Sequence, residues 1–291
     1  MNKTREYRLI RAFLWLLLVT VIWGSTFPIH KVMLTDLQTL PYLFIRFGIA
    51  AVLSFLIWKK HSFKYGATLG IILGLAHALQ TYGINFTDAS KSGFITSLYI
   101  PFTPIISYLI EKEKPNFIQW LCFPLSLLGS YMLFGGISGF NFGDFLTFLG
   151  AVLFAVHIVL ITKFSKVVEE TSLLAYQFLF AAIINVSISF NSSWKLGAPI
   201  WLTAIYTGIA ATIVVNFLQA RYQKVIGSNS TVLIFIGEPI FASLFSFIFL
   251  GERFSGLQMI GASIMIGVII LTTFSYRVNK YLKERLDLKE L

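Results

Sequence analysis

Ten apolar blocks, each of about 20 residues, make up most of this 291-residue chain. An α-helix needs about 20 residues to cross the hydrocarbon core of a bilayer, and lipid cannot satisfy open backbone groups, so each block predicts a membrane-spanning helix. The sequence therefore predicts an all-α integral membrane protein with ten transmembrane helices, whose first partner is the lipid bilayer. The predicted spans lie near residues 12–33, 40–58, 66–85, 92–110, 117–135, 143–162, 172–190, 200–220, 229–250 and 256–275.

The basic residues are distributed unevenly between the two sides that these spans define. Of the 23 Lys and Arg, 18 fall on the side of the two termini, and the other side has only Lys31, Lys91, Lys195 and Arg253. Because Lys and Arg concentrate in cytoplasmic loops, the pattern predicts a multi-pass protein of the cell (inner) membrane with both termini in the cytoplasm. The net charge of +10 is then a topology signal, and no nucleic-acid partner is expected.

Motifs for metals, nucleotides and covalent catalysis are missing from the sequence. The single cysteine, Cys122, cannot form an intramolecular disulfide; the potential ligands lack zinc spacing, and no phosphate-binding glycine loop is present. We therefore expect no metal, no cofactor and no ATPase activity, so that a gradient must drive any transport. A membrane-embedded enzyme is the alternative from a different class, but it would need a catalytic constellation that the sequence lacks.

The two halves of the chain resemble each other. A shift of 139 residues places Gln80 on Gln219 and His77 on Asn216. Each half, 1–139 and 140–291, then has five spans, and this odd number makes the second copy enter the membrane from the opposite side. The sequence therefore predicts two inverted five-helix repeats, an architecture that suits alternating access better than a channel. The same shift pairs Leu79 with Leu218, Glu113 with Glu252, and Gln119 with Gln258.

Several short motifs occur along essentially the whole chain. They are Trp23-Gly24-Ser25-Thr26-Phe27-Pro28, Arg46, the stretch from Gly93 to Pro104, Glu238-Pro239, and Gly251-Glu252-Arg253 before Gly261 and Gly267. Taken together, these motifs resemble the EamA family of the drug/metabolite transporter superfamily. The resemblance implies a ten-helix carrier of small metabolites, often amino acids or related compounds, that usually moves them outward.

The expected function is thus a secondary carrier, most simply an exporter, of small-molecule substrates, with protons as one candidate coupling ion. Within the same class, the alternative is an exchanger of phosphorylated or nucleotide-linked sugars. That alternative is less favoured because Arg46 is the only Arg or Lys that lies away from the ends of a span, whereas phosphate sites draw on the strong fit of Arg and Lys to phosphate. The sequence leaves the substrate, the direction of transport and the oligomeric state open.

Polar residues inside the spans are the candidates for a substrate pathway, because such residues are costly in lipid and face a cavity or another helix. Glu238, near the middle of the ninth span, either carries a proton or binds a substrate amine, or it only caps backbone that Pro239 leaves unbonded. Arg46 in the second span either attracts an anionic group or snorkels toward the interface.

The other candidates share helix faces within their spans. Those of the third and eighth spans form polar stripes at similar depth, which either line a cavity or bond helices to each other. Threonines can bond to their own helix, and a buried neutral histidine is often structural. The predicted pathway residues are Trp23, Thr26, Arg46, His77, Gln80, Thr96, Tyr99, His157, Asn216, Gln219 and Glu238.

Overall fold

The computed structural model describes residues 3–33, 38–84, 86, 87, 89–135, 139–251 and 253–286. Within these ranges the chain consists of helices and short connections, without a strand. Seven helical stretches in the described ranges are long and apolar enough to cross a membrane, as expected of a multi-pass membrane protein. Glu252, which the repeat pairs with Glu113, lies outside the described residues.

The helices follow the apolar blocks along the chain. In order, they are α1 (Lys3–Met33), α2 (Thr39–Ile57), α3 (Phe63–Ile84), α4 (Ala89–Thr96), α5 (Tyr99–Glu111), α6 (Phe117–Leu133), α7 (Phe142–Ser165), α8 (Glu170–Ser187), α9 (Ala198–Gly208), a π-helical segment (Ile209–Val214), α10 (Val215–Ile226), α11 (Ser228–Phe235), α12 (Gly237–Leu250) and α13 (Gly256–Leu286).

Three of the ten predicted spans do not stand out by length and hydropathy. They correspond to α3, α6 and α8. The apolar helix α6 has only 17 residues, while α3 carries His77 and Gln80 and α8 carries Gln177 and Asn185. These side chains lower the mean hydropathy of α3 and α8 because they are polar. They make contacts inside the bundle.

Two of the predicted spans are interrupted at corresponding points, between α4 and α5 and between α11 and α12. Each interruption lies a few residues before a proline, Pro101 or Pro239. Proline lacks the N–H that would bond to the carbonyl four residues earlier, so the helix cannot continue through that turn undisturbed. Each break places the first turn of a half-helix inside the bundle.

Loop contacts define two faces of the bundle. On the first, Lys166 and Ser228 both reach Glu111, at 2.9 and 3.0 Å, and join the connections α5–α6, α7–α8 and α10–α11. We call it the terminal face, because the N-terminal half of α1 packs there against the end of α10. On the other, the opposite face, the buried ion pair of Lys91 with Asp144 at 2.5 Å joins the first turn of α4 to the start of α7.

The main helix contacts join the two predicted halves. α3 packs on α7 and α8, α2 on α8, α6 on α13, and α1 on α10 and α12. Gly24 lets α1 approach α12 closely, since a Cβ atom there would lie 2.7 Å from Cβ of Phe241. The interior of the bundle is therefore built from both halves, and the site described next lies between them.

Candidate functional site

A cavity of about 690 Å³ lies between the two halves. It extends from His157 and Gln219 in the interior to Thr39 and Arg253 at the opposite face. Its volume falls in the range of about 300–1,000 Å³ that is usual for small-molecule sites. All eleven residues predicted for the substrate pathway line this cavity. The structure thus brings them together, and passage of a substrate along them stays a prediction.

Arg46 is fixed by acceptors on the π-helical segment. Its Nε donates to Oγ1 of Thr212 at 2.8 Å, and its Nη2 donates to the carbonyl oxygen of Ala211 at 3.1 Å. Nε1 of Trp23 donates to the same carbonyl at 3.1 Å. A π-helical turn shifts the backbone out of the regular α-helical ladder, and such turns are frequent at functional sites. The guanidinium group is therefore oriented by α1 and the eighth span together and does not snorkel to the interface.

Tyr42 lies one helical turn before Arg46 and also lines the cavity. Its hydroxyl is 2.7 Å from Nε2 of His30 and 2.7 Å from Oγ1 of Thr207. The sequence did not single out Tyr42, although its place four residues before Arg46 on one helix face was an available signal. Together these contacts form a continuous polar wall from α1 through α2 to α9.

The polar stripe of α3 faces both a partner helix and the cavity. Gln80 donates from Nε2 to Oγ1 of Thr96 at 2.9 Å, so two predicted pathway residues bond to each other across α3 and α4. His77 lies between two aromatic rings, with centroid distances of 5.4 Å to Phe47 and 5.1 Å to Phe154. The two alternatives for this stripe, cavity lining and interhelical bonding, are both realised.

Glu238 lies in the first turn of α12, directly after the helix break, and lines the cavity with Pro239. Its carboxylate has no hydrogen-bond partner among the residues that the structure describes. The 139-residue shift places Tyr99, in the first turn of α5, on Glu238. The two halves therefore present a phenol and a carboxyl group at equivalent points of the same cavity. Thr26, by contrast, bonds to its own helix, at 2.7 Å from the carbonyl oxygen of Trp23.

The interior end of the cavity is lined by neutral polar groups. The side chain of Asn216 accepts from Nε2 of Gln177 at 2.8 Å and donates to the carbonyl oxygen of Thr212 at 2.9 Å. Gln219 donates to Oε1 of Gln223 at 3.0 Å. His157 is 4% exposed, and its Nε2 has no hydrogen-bond partner within the described chain. No trio of His, Cys, Asp or Glu side chains in the described ranges is placed to hold a metal ion.

A polar cluster separates this interior end from the terminal face; we define the terminal-face cluster as Glu111, Glu113, Thr162, Lys166 and Ser228. The Ser228 hydroxyl lies 2.8 Å from Oγ1 of Thr162 and 3.0 Å from Oε2 of Glu111, and Lys166 pairs with Glu111 at 2.9 Å. The Ser228 N–H, at the start of α11, donates to Oε2 of Glu113 at 3.3 Å. These contacts tie the first half of the chain to the second on the side away from the cavity mouth.

Glu113 fits closely against the turn that precedes α11. Gly227 has φ of +83°, and a Cβ atom at this position would lie 2.6 Å from Oε1 of Glu113. The backbone angle thus favours glycine here, and a larger side chain would also displace the Glu113 carboxylate. Burial, and then the neighbouring Glu111 carboxylate, raise the pKa of Glu113 above its ordinary value.

Several lining residues were not anticipated from the sequence. Pro239, Ala242, Ser243 and Ser246 all lie on one face of α12, so the helical spacing from Glu238 was an available signal. A second group comes from helix ends and connections, whose approach to the cavity depends on the tertiary fold. This second group comprises Phe134, Arg253, Phe254 and Gln258.

Comparison with known proteins gives a consistent picture. The profile of the EamA-like transporter family matches residues 10–135 and 141–274. An uncharacterized transporter of Archaeoglobus fulgidus is 32% identical over 264 residues, which cover 90% of this chain and 85% of that relative. The uncharacterized transporter YoaV of Bacillus subtilis is 24% identical and covers 94% of this chain and 100% of its own. A solved crystal structure shares the fold, with a TM-score of 0.73 and 16% identity over 91% of this chain and 99% of its own.

Proposed function

Because this chain belongs to the EamA-like transporter family, we propose that it is a secondary carrier that exports small metabolites, such as amino acids or related compounds, by alternating access. The observation that carries the proposal is the cavity between the halves, lined by Arg46 and Glu238 as well as by aromatic side chains. Groups of both signs beside aromatic surface suit small amphipathic molecules with a charged end. The eleven predicted residues form its pathway, and Glu238 is the candidate for proton coupling.

The proposed architecture is ten crossings arranged as two inverted repeats, 1–139 and 140–291. Three observations support it. The helix contacts follow the pattern that a pseudo-two-fold axis between the halves requires. The contact of α3 with α7 corresponds to that of α10 with α1, and α6 packs on α13, its counterpart in the other half. The helix breaks occur at equivalent points, before Pro101 and Pro239. The family profile also matches two successive segments.

The proposed location is the inner cell membrane, with both termini in the cytoplasm. The uneven distribution of Lys and Arg supports it, and the terminal face is then cytoplasmic. With this orientation, the structure corresponds to a state in which the terminal-face cluster closes the cavity toward the cytoplasm. Reporter fusions test the orientation: a fusion after Leu291 that works only in the periplasm, or a Lys195 loop labelled only from the cytoplasm, contradicts it.

The carrier function is tested by comparing metabolites in the medium of cells that overproduce or lack the protein. We expect at least one small amphipathic compound to accumulate outside with overproduction, and the purified protein in proteoliposomes to move that compound. Empty liposomes and an Arg46→Ala protein are the controls. Equal movement with and without the protein, for every compound that changes in cells, would show that the carrier proposal is wrong.

A second candidate is the exchange of phosphorylated or nucleotide-linked sugars. It gains support from Arg253, which lines the cavity mouth and adds a second base to Arg46. Inorganic phosphate is the simplest probe of this alternative. Competition by millimolar phosphate for transport of the exported compound, lost in an Arg253→Gln protein, would favour it over the first candidate.

A further inference from the structure

The cavity has two chemically different ends. Its charged lining residues among those described are Arg46, Glu238 and Arg253. None of them belongs to the interior end, where His157 lies about two helical turns before the end of α7 at the terminal face. Walls near that end are apolar or aromatic and include Ile158. A molecule that fills the cavity therefore meets charge along one part and neutral groups at its interior end.

At this interior end, His157 carries a buried hydrogen-bonding atom that has no partner among the described residues. Asn216 is engaged with Gln177 and the backbone of Thr212, and Gln219 donates to Gln223. His157 is 4% exposed, and its Nε2 has no partner among the described residues. A buried polar atom without a hydrogen-bond partner lowers the stability of the fold. Such an atom therefore either reflects imperfect packing or forms its hydrogen bond with a bound ligand.

A hydroxyl group is the chemical partner that fits this atom best. Neutral imidazole presents one N–H donor and one acceptor, and which nitrogen carries the proton depends on the surroundings. A hydroxyl can donate or accept through a single oxygen, so it matches Nε2 in either tautomer. A hydroxyl group can also sit at the end of an apolar body, such as an aromatic ring, and Phe154 and Phe235 give the cavity wall apolar surface that such a body could contact.

We propose that His157 is a substrate-binding residue that recognises a neutral hydroxyl group at the distal end of an amphipathic substrate, whose charged end faces Arg46 and Glu238. This inference rests on the proposed carrier function and narrows its substrate class to hydroxyl-bearing molecules, such as hydroxyaryl amino acids. The imidazole nitrogen exchanges its unpaired state for a hydrogen bond when the substrate enters. A substrate without the hydroxyl leaves the nitrogen unpaired and binds more weakly.

L-Tyrosine and L-phenylalanine are the probes, because they differ by one hydroxyl and share both charged groups. Equilibrium binding to the full-length protein in lipid nanodiscs should favour tyrosine by about tenfold or more, in line with one hydrogen bond formed in a dry site. The His157→Phe protein should lose this preference through weaker tyrosine binding, while phenylalanine affinity changes by less than about threefold. His157→Gln, which retains a donor and an acceptor, should keep part of the preference.

The matched control is His61→Phe, since His61 lies in the α2–α3 connection, outside the cavity lining. It should leave both affinities unchanged. His157→Leu replaces His157→Phe if the latter does not fold. An equal loss of affinity for tyrosine and phenylalanine in the His157 variants would assign that residue a purely structural role and overturn the proposal. Wild-type protein that binds neither probe, or both equally, also overturns it, whereas the carrier function itself is judged separately by metabolite efflux.

Discussion

Thr212 is a positioning residue for Arg46, because its Oγ1 accepts a hydrogen bond from Nε of Arg46 at 2.8 Å. We predict that Thr212→Val, which keeps the shape but removes the acceptor, weakens transport of a carboxylate-bearing substrate by about 10-fold to 100-fold, because a hydrogen bond to a charged group contributes about 1.5–3 kcal/mol. The effect should appear in KM more than in kcat, because the guanidinium group loses its orientation and not its charge. Transport assays in proteoliposomes measure both.

Thr212→Ser retains the hydroxyl and serves as the matched control, which should behave like the wild type. An equal fall of kcat for both variants would indicate that the π-helical segment, and not its hydroxyl, is what matters. Arg46→Lys should resemble Thr212→Val or be worse, because a lysine ammonium cannot reproduce the planar fork of donors.

Glu238 provides the second test at this scale. If it couples protons, Glu238→Gln should abolish uphill transport under a pH gradient while leaving exchange or binding within about threefold, because Gln keeps the size and hydrogen-bonding capacity but cannot titrate. Flux and counterflow in the same proteoliposomes separate the two quantities. A Glu238→Gln protein that still concentrates substrate as the wild type does would leave Glu238 only a structural role beside Pro239.

At the scale of single residues, the sequence predicted which polar groups lie together but not what each contacts. Intramembrane cost and shared helix faces pointed to His77, Gln80 and Asn216, because those rules depend on position along one helix. The acceptors for the Arg46 guanidinium group were not predictable, because Ala211 and Thr212 lie 165 and 166 residues further along the chain. Only the packed fold brings them together.

At the scale of elements, the terminal-face cluster joins the α5–α6 connection to α7 and to the start of α11. The groups that face Glu113 are Glu111, Lys166, Ser107 and the Ser228 N–H. Burial, and then Glu111, raise its pKa in this closed arrangement, and exposure to water on opening would return the pKa to its ordinary value. Protonation of Glu113 therefore favours closure.

We predict that closure at the terminal face is strongest below the ordinary Glu pKa and weakens as the pH on that side rises through the raised pKa of Glu113. Glu113→Gln should keep the face closed and remove this pH dependence. Labelling from the terminal side of a cysteine at position 219, with Cys122 replaced, measures opening. Glu169→Gln is the control, since Glu169 pairs on the same face with Lys60 at 3.4 Å and both side chains are exposed. Unchanged pH dependence in Glu113→Gln would contradict the prediction.

Helix breaks and helix distortions differ in how far the sequence reveals them. Pro101 and Pro239 each follow the interruption of a span, where the missing proline N–H leaves a carbonyl group unbonded. Proline alone does not locate the breaks, because α1, α5 and α6 each continue through a proline, namely Pro28, Pro104 and Pro124. The π-helical segment at Ile209–Val214 contains no proline or glycine, so no local pattern predicts it. It coincides with the contacts to Arg46 and Trp23, which are properties of the tertiary structure.

At the scale of the whole molecule, alternating access predicts opposite responses on the two sides of the cavity. Cysteines at positions 80 and 219, introduced singly after replacement of Cys122, should change reactivity in opposite senses when the exported compound is added. The physical reason is that a shift of 139 residues relates Gln80 to Gln219, and under alternating access the two halves that hold them would exchange conformation. Cysteines that remain inaccessible from both sides would show that the stripes are packing surfaces.

The overall helical architecture was predictable because lipid imposes length and hydropathy on any spanning helix. That signal is clear for seven stretches and weak for α3, α6 and α8, which are shorter or carry polar residues. The way α3 inserts between α7 and α8 was not predictable from hydropathy, because in lipid the choice of helix partner depends on close packing and polar contacts rather than on apolar area.

The break at Ile236 has a mechanical consequence for the proposed carrier. Beyond it, α12 is a helix of 14 residues, about 21 Å long. A rotation of this helix by about 15° about the break moves its far end by about 5 Å, with no change in hydrogen bonding within the helix. That displacement exceeds the contact distance of about 3.5 Å between carbon atoms. A rotation of α12 about this single residue would therefore be enough to open or close the cavity mouth to a molecule one aromatic ring thick.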